Sequence, residues 1–205
     1  MAKSKPKVVN PQGVFNHASA FYGALDQLHR TSTQERFLQI AGPMMVLTAF
    51  SCELLFKCLI AIEKNGETVP SHLLLDLFDL ISPDVQARIE QHWDGIQAQR
   101  KEMLDAIEKK EGKPIARDIR SNLKEANDLF RQVRYFYESP PAFGFYIGDL
   151  PIALHRTICD LKPEWISPPI VDQPHPVLVK GKDNAASNFP ALSARYVING
   201  KPTSL

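Results

Sequence analysis

The stretch AGPMMVLTAFSCELLFKCLIAI, residues 41–62, decides the fold of this chain. It is apolar on nearly every side, and a helix of that kind is either buried at the centre of a protein or spans a membrane. Glu53 and Lys57 fall in its middle half, where each charge would cost roughly 2.5–3.5 kcal/mol on membrane-insertion scales. We therefore predict the buried central helix of a soluble bundle, with no membrane partner.

The central helix is predicted to cover residues 35–64. Pro43 is expected at the first helical position of its main part, where the missing N–H does no harm. The pair Asn65-Gly66 is a strong stop signal, because glycine and asparagine tolerate the left-handed backbone that ends many helices.

Apolar residues at helical spacing predict five more helices around the central one. Ser71 and Ser82 are expected to cap two of them, because a serine oxygen accepts hydrogen bonds from the N–H groups at a helix start. The helix after Ser82 is predicted to run unbroken to Lys110, with Met103 on its inward stripe. The predicted ranges are 14–28, 72–81, 83–110, 116–138 and 150–161.

These elements add up to an all-α fold, an up-and-down bundle of about five to six helices. The bundle is predicted to span residues 14–162. From residue 163 to residue 205 the sequence is spaced by prolines and has no helical period. We therefore predict an extended or disordered C-terminal tail.

Composition and charge argue against several classes of function. The formal net charge is +1 over 205 residues, so nucleic-acid binding would depend on a local patch. The three cysteines form no CxxC pair and the six histidines no HxxxH pair, which argues against a disulfide framework and against a metal site. We expect reduced cysteines, no metal, no cofactor and a cytoplasmic location.

Glu53 and Lys57 stand four residues apart on the central helix, in the order that favours an ion pair. Their apolar neighbours predict that Glu53 is partly buried, and a buried carboxylate needs a cation or hydrogen-bond donors. The stretch RQVRYFYES, residues 131–139, is the natural supplier on another helix. We prefer a bridge from Arg134 to Glu53, because a guanidinium binds a carboxylate through two hydrogen bonds and stays charged when buried.

Three segments in this order resemble the HEPN superfamily of small helical bundles: CELLFKCLIAIEKNG (52–66), SHLLLDLFDLI (71–81) and VRYFYE (133–138). The resemblance covers residues 15–162. It implies a bundle that tends to form homodimers, often through the helices that carry the polar residues. Members of the superfamily include metal-independent ribonucleases, frequently the toxins of bacterial toxin–antitoxin or defence systems, and non-catalytic proteins that bind RNA or nucleotides.

This chain lacks the histidine of the ribonuclease members. Those enzymes resemble one another in an arginine followed, with four to six residues between, by a histidine for acid–base chemistry on a 2′-OH. The corresponding windows hold Phe136, Tyr137 and Glu138 after Arg131, and Ser139, Pro140 and Pro141 after Arg134. The resemblance therefore implies a non-catalytic or degenerate module that binds RNA, a nucleotide or a partner protein such as an antitoxin.

Polar residues of the central helix, of the segment that follows it and of the stretch 131–139 are the candidates for such a site. The predicted binding residues are Lys57, Arg131, Arg134, Tyr135 and Glu138. One alternative is a divergent metal-independent endoribonuclease, whose catalytic candidates are Arg134, Glu53, Tyr137 and His72. Another is a helical interaction module whose C-terminal tail docks on a partner protein, in which the same polar residues only hold the helices together.

Overall fold

The computed structural model describes residues 8–31, 34–127 and 147–165. Within these ranges the chain forms α-helices and no strand beyond one isolated bridge, which confirms the all-α fold class. A 3-10 turn, Pro163–Trp165, follows the last helix. The seven α-helices described are α1 (Pro11–Thr31), α2 (Gln34–Glu63), α3 (Leu74–Asp79), α4 (Pro83–Gln99), α5 (Lys101–Glu111), α6 (Ile119–Glu125) and α7 (Leu150–Leu161).

Helix α2 lies at the centre of the bundle, as predicted. It packs along α1 and contacts α3 and α7, while α4 packs against α7 and α3 against α6. Among the helices described, α2 alone is long and apolar enough, over Gln39–Glu63, to cross a membrane, and 61% of its most apolar window is buried inside the bundle. Helix α2 is therefore the core helix of the bundle. Fully buried core side chains include Phe56, Leu59, Phe78, Trp93 and Leu154.

Pro43 lies inside the continuous helix α2, so the prediction that it begins the main part of the helix is wrong. The helix is continuous from Gln34, and proline has no N–H to donate to the carbonyl of Gln39. An interior proline costs a helix about 3 kcal/mol. The long contact between α1 and α2 offsets this loss, and Met44 beside the proline is buried.

The Asn65-Gly66 pair ends α2 as predicted and also binds the N-terminal segment. Both residues have positive φ, 52° for Asn65 and 91° for Gly66. The Val9 N–H donates to the Gly66 carbonyl at 2.9 Å, and Val8 forms an antiparallel bridge with Glu67. The chain just before α1 is thereby held at the end of α2.

Helix α3 is shorter than predicted, and Ser71 does not cap it. The helix begins at Leu74, and Leu73 occupies the N-cap position. Ser71 Oγ instead accepts a hydrogen bond from the Leu73 N–H at 3.2 Å and donates to Asp76 Oδ2 at 3.3 Å. These bonds hold a turn before the helix, which keeps residues 71–73 out of it. The residues predicted to face inward are buried: Leu74, Leu77, Phe78 and Ile81.

The predicted helix over residues 83–110 is broken at Arg100 into α4 and α5. Arg100 leaves helical geometry, with φ −96° and ψ 5°, and its side chain binds Asp149 beside α7. This contact between distant parts of the chain overrides the local helical preference. Met103, predicted to face inward, is 45% exposed beyond the break. Ser82 is the N-cap residue of α4 as predicted, although its hydroxyl makes no capping bond.

Helix α6 starts later than the predicted residue 116, because the residues before it have other partners. Asp118 caps the helix by accepting from the Ser121 N–H at 2.8 Å. The Arg117 carbonyl accepts from Trp93 Nε1 at 2.7 Å, so it is used outside the helix. The later part of the predicted helix, residues 128–138, lies outside the described residues.

The last predicted helix is confirmed as α7. The first residues of the predicted tail are not extended, because they form the 3-10 turn, in which the Trp165 ring packs 5.6 Å from the Phe15 ring. The described end of the chain is therefore packed on α1. Residues 166–205 of the predicted tail lie outside the described residues.

The three cysteines are free thiols, as predicted. Burial raises the pKa of Cys58 to about 12. Cys159 Sγ lies 3.5 Å from His155 Nδ1, but burial raises the pKa of Cys159 to about 11 and lowers the pKa of His155 to about 4. Both shifts favour the neutral pair, whereas a cysteine nucleophile requires a thiolate beside an imidazolium.

Gly66→Ala should destabilise the protein. A Cβ at Gly66 would lie 2.6 Å from the Val9 carbonyl oxygen, on a backbone with φ 91°. We expect the free energy of unfolding to fall by on the order of 2 kcal/mol, measured by urea denaturation. Gly95→Ala is the matched control, because Gly95 lies in α4 with open space around its Cβ position. The control should raise stability by about 0.5–1 kcal/mol, and equal losses in both variants would contradict the Gly66 contact.

Acidification should destabilise the protein through His155. Burial lowers its pKa from 6.5 to about 4 on folding, so the unfolded chain binds the proton more tightly between these values. Above about pH 6.5 the ring is neutral in both states and does not lower the free energy of unfolding. As the pH falls toward 4, the free energy of unfolding decreases, by on the order of 3 kcal/mol in total.

Urea unfolding at pH 7, 6 and 5 measures how the free energy of unfolding changes with pH. His155→Gln should reduce this pH dependence, whereas His17→Gln, which replaces an exposed histidine, should leave it unchanged. An equal pH dependence in wild type and His155→Gln would refute the assignment.

Candidate functional site

Two polar side chains, those of Lys57 and His72, meet at one oxygen of Glu53, and we call the three residues the Glu53 cluster. Lys57 Nζ donates to Glu53 Oε1 at 2.8 Å, one helical turn further along α2. His72 Nδ1 lies 2.9 Å from the same oxygen, and it comes from the turn before α3. The cluster therefore joins the central helix to the segment that follows its stop signal.

Exposure increases stepwise across the Glu53 cluster. The side chain of Glu53 is 7% exposed, that of Lys57 is 19% exposed and that of His72 is 73% exposed. The prediction that Glu53 is buried is thus confirmed. A buried carboxylate is costly unless it is paired and hydrogen-bonded, and Lys57 and His72 supply both requirements.

The geometry fixes which nitrogen of His72 faces outward. An ionised carboxylate can only accept hydrogen bonds, so the Nδ1 beside Glu53 carries a proton that it donates. In the neutral imidazole Nε2 is then an acceptor, and in the protonated ring it is a second donor. A carboxylate that orients an imidazole in this way is a recurring arrangement in acid–base catalysis, and it serves equally to present one polar nitrogen to a ligand.

Helix α6 and the turn after it hold α3, which follows the turn that carries His72. The Leu75 N–H donates to Asn127 Oδ1 at 2.8 Å. Arg120 Nη2 lies 2.8 Å from Asp79 Oδ1, and its guanidinium carbon lies 5.3 Å from the centre of the Phe78 ring. The position of the imidazole thus depends on contacts at both ends of α3.

The structure brings together Glu53, Lys57 and His72 among the predicted site residues. The other predicted site residues lie outside the described residues, and the proposed bridge from Arg134 to Glu53 therefore stays a prediction. They are Arg131, Arg134, Tyr135, Tyr137 and Glu138.

The sequence did not identify His72 as a partner of Glu53. The available signal was the need of a buried carboxylate for a donor, together with a histidine soon after the end of α2. Within the described ranges, no group of three histidine, cysteine or acidic side chains is arranged to hold a metal ion.

Compared with protein-family models, curated proteins and solved structures, the chain matches none.

Glu53 and His72 should differ sharply in their effect on stability. Glu53→Ala removes a buried acceptor and leaves the Lys57 ammonium without it, so the free energy of unfolding should fall by on the order of 3 kcal/mol. His72→Ala removes an exposed ring and should change stability by less than about 0.5 kcal/mol. Urea denaturation of the two variants measures both values. Equal losses would mean that the imidazole is a structural part of the core.

Proposed function

We propose that this chain is a HEPN-like, cytoplasmic RNA-binding module without efficient catalysis. The observation that carries the proposal is the meeting of Glu53, Lys57 and His72 at one carboxylate oxygen. The first two residues come from the segment that resembles the central HEPN helix, and the third comes from the segment that resembles the next HEPN element. Two separate segments thus supply polar side chains to one site, which supports a common role for these side chains in binding a polar ligand.

RNA offers the groups that this cluster is able to contact. The outward Nε2 of His72 can accept a hydrogen bond from a ribose 2′-OH, or donate one to a phosphate oxygen when the ring is protonated. The Lys57 ammonium binds the same carboxylate oxygen as His72. It is partly exposed, so a phosphate can approach it. Glu53 holds both groups in place beneath the surface.

We propose that the polar residues of the stretch 131–138 complete the site. Arg131 follows four residues after Asn127, which binds the start of α3. In this proposal Arg131 and Arg134 hold phosphates, while Tyr135 supplies a ring for base stacking. Glu138 accepts from a base or a ribose in the same proposal.

The resemblance extends the proposal to assembly and setting. HEPN-like bundles tend to pair, so we propose a homodimer with the polar clusters near its seam. We further propose a toxin–antitoxin or defence role, with an antitoxin or another protein as partner.

The orientation of His72 favours a second candidate function, a metal-independent endoribonuclease. Glu53 binds Nδ1, and Nε2 is thereby directed away from the carboxylate and able to take a proton from a 2′-OH. In this candidate Arg134 stabilises the charge that develops on the phosphate, and Tyr137 assists. It would place the acid–base histidine in the turn before α3, and not after an arginine as in the ribonucleases that the chain resembles.

One experiment separates the two candidates. Purified protein is incubated with fluorescent single-stranded and structured RNA in EDTA, and binding and cleavage are measured together. The binding module should retain intact RNA, and His72→Ala and Arg134→Ala should each weaken binding by about tenfold, equivalent to about 1.4 kcal/mol. The matched control is His92→Ala, because His92 also binds a carboxylate, that of Asp160 at 2.7 Å, outside the Glu53 cluster.

The outcomes are distinct. Cleavage that is lost in His72→Ala and kept in His92→Ala would establish the endoribonuclease and refute the non-catalytic module. Absence of both binding and cleavage in wild type would remove both RNA functions and leave the interaction module with a docking tail.

A further inference from the structure

A cleft of about 540 Å³ lies where the break between α4 and α5 faces α1 and the start of α7. This volume falls within the range of roughly 300–1,000 Å³ that small-molecule sites occupy. Arg100, at the break, lines the cleft, and its side chain crosses to Asp149. It shares no residue with the Glu53 cluster.

The floor of the cleft is apolar. Leu25 and Leu104 are almost fully buried beneath it, and Ile152 is partly buried beside them. Met103 also lines the cleft and is 45% exposed, one of the large apolar side chains that the described surface leaves in water. A hydrocarbon chain laid on these residues would leave water together with Met103, which stabilises the complex.

The polar wall of the cleft holds two carboxylates in different states. Asp149 is bound on both oxygens by Arg100, with Nη2 to Oδ1 at 2.7 Å and Nε to Oδ2. Asp26 pairs with Arg30 at 2.7 Å, and that arginine is 69% exposed and lies outside the cleft lining. The Asp26 side chain is 24% exposed. An i,i+4 ion pair whose arginine is largely in water is weak, so a cation that enters the cleft replaces Arg30 at little cost.

Tyr22 lines the cleft together with both carboxylates. Burial, then the charge of Asp26, then that of Asp149 raise the pKa of Tyr22 to about 12, and the charges of Arg156 and Arg30 oppose this rise. The phenol therefore stays neutral and adds no negative charge, while its ring face can attract a cation. Asp26, Asp149 and Arg100 give the described lining a formal charge of −1, with His29 counted as neutral, and this charge is open to a ligand once the cation displaces Arg30 from Asp26.

From this combination we infer that the cleft binds a small organic cation, an ammonium group on a hydrocarbon chain. The ammonium pairs with Asp26 beside the ring of Tyr22, and the chain lies over Leu25, Leu104, Ile152 and Met103. The site requires both parts of the ligand, since the carboxylate attracts the charge and the floor buries the chain.

Three probes of one length test the inference on the full chain: hexylammonium, hexanoate and 1-hexanol, each titrated by isothermal calorimetry. Hexylammonium should bind at least about tenfold more tightly than 1-hexanol, because only the cation pairs with Asp26. Hexanoate should not bind measurably.

Two variants localise the binding. Asp26→Asn should weaken hexylammonium binding by about tenfold and leave the affinity for 1-hexanol unchanged. The control is Asp160→Asn, which removes a carboxylate of α7 that pairs with His92 outside the cleft. If Asp26→Asn does not fold, Met103→Glu tests the same site from the exposed rim, and it should abolish binding of the neutral alcohol.

Equal affinity for the three probes, absence of hexylammonium binding, or equal losses in Asp26→Asn and Asp160→Asn would overturn the inference. None of these results bears on RNA binding, because the two sites have no residue in common.

Discussion

Glu53 stands on the most central helix of the bundle, where an ionised carboxylate without partners would cost several kcal/mol. Lys57 meets most of that requirement from the same helix, and the exposed His72 adds a hydrogen bond from the turn before α3. This hydrogen bond gives the segment after α2 one defined contact on the surface of α2. A core helix made only of apolar residues would offer no such contact.

Several further contacts hold the turn that carries His72 and the helix that follows it. Ser71 binds the backbone at Leu73, and Asn127 binds the backbone at Leu75. Arg120 pairs with Asp79 at the far end of α3. Such an arrangement leaves the imidazole exposed and yet oriented, which is what a site for a polar ligand requires.

The sequence predicts those features that depend on local signals. The central helix follows from its apolar surface, its end from Asn65-Gly66, and the burial of Glu53 from its neighbours. The break at Arg100 depends on Asp149, a residue 49 positions away, and no local period contains that information. The cleft beside the break was missed for the same reason.

The partner of Glu53 escaped prediction because it lies in a turn. Helical spacing places residues on faces, but it says nothing about a segment whose path depends on side-chain bonds to its own backbone. The arginines and tyrosines of residues 131–138, which the sequence singled out first, lie outside the described residues.

Backbone contacts hold the segment before α1 against the end of α2. Val9 binds Gly66, and six residues after Gly66 comes His72, the most exposed member of the polar cluster. The loop that presents the imidazole is thus anchored at its origin by a segment that precedes the first helix. Loss of the contacts made by residues 8 and 9 would therefore remove the backbone bonds that hold the start of this loop.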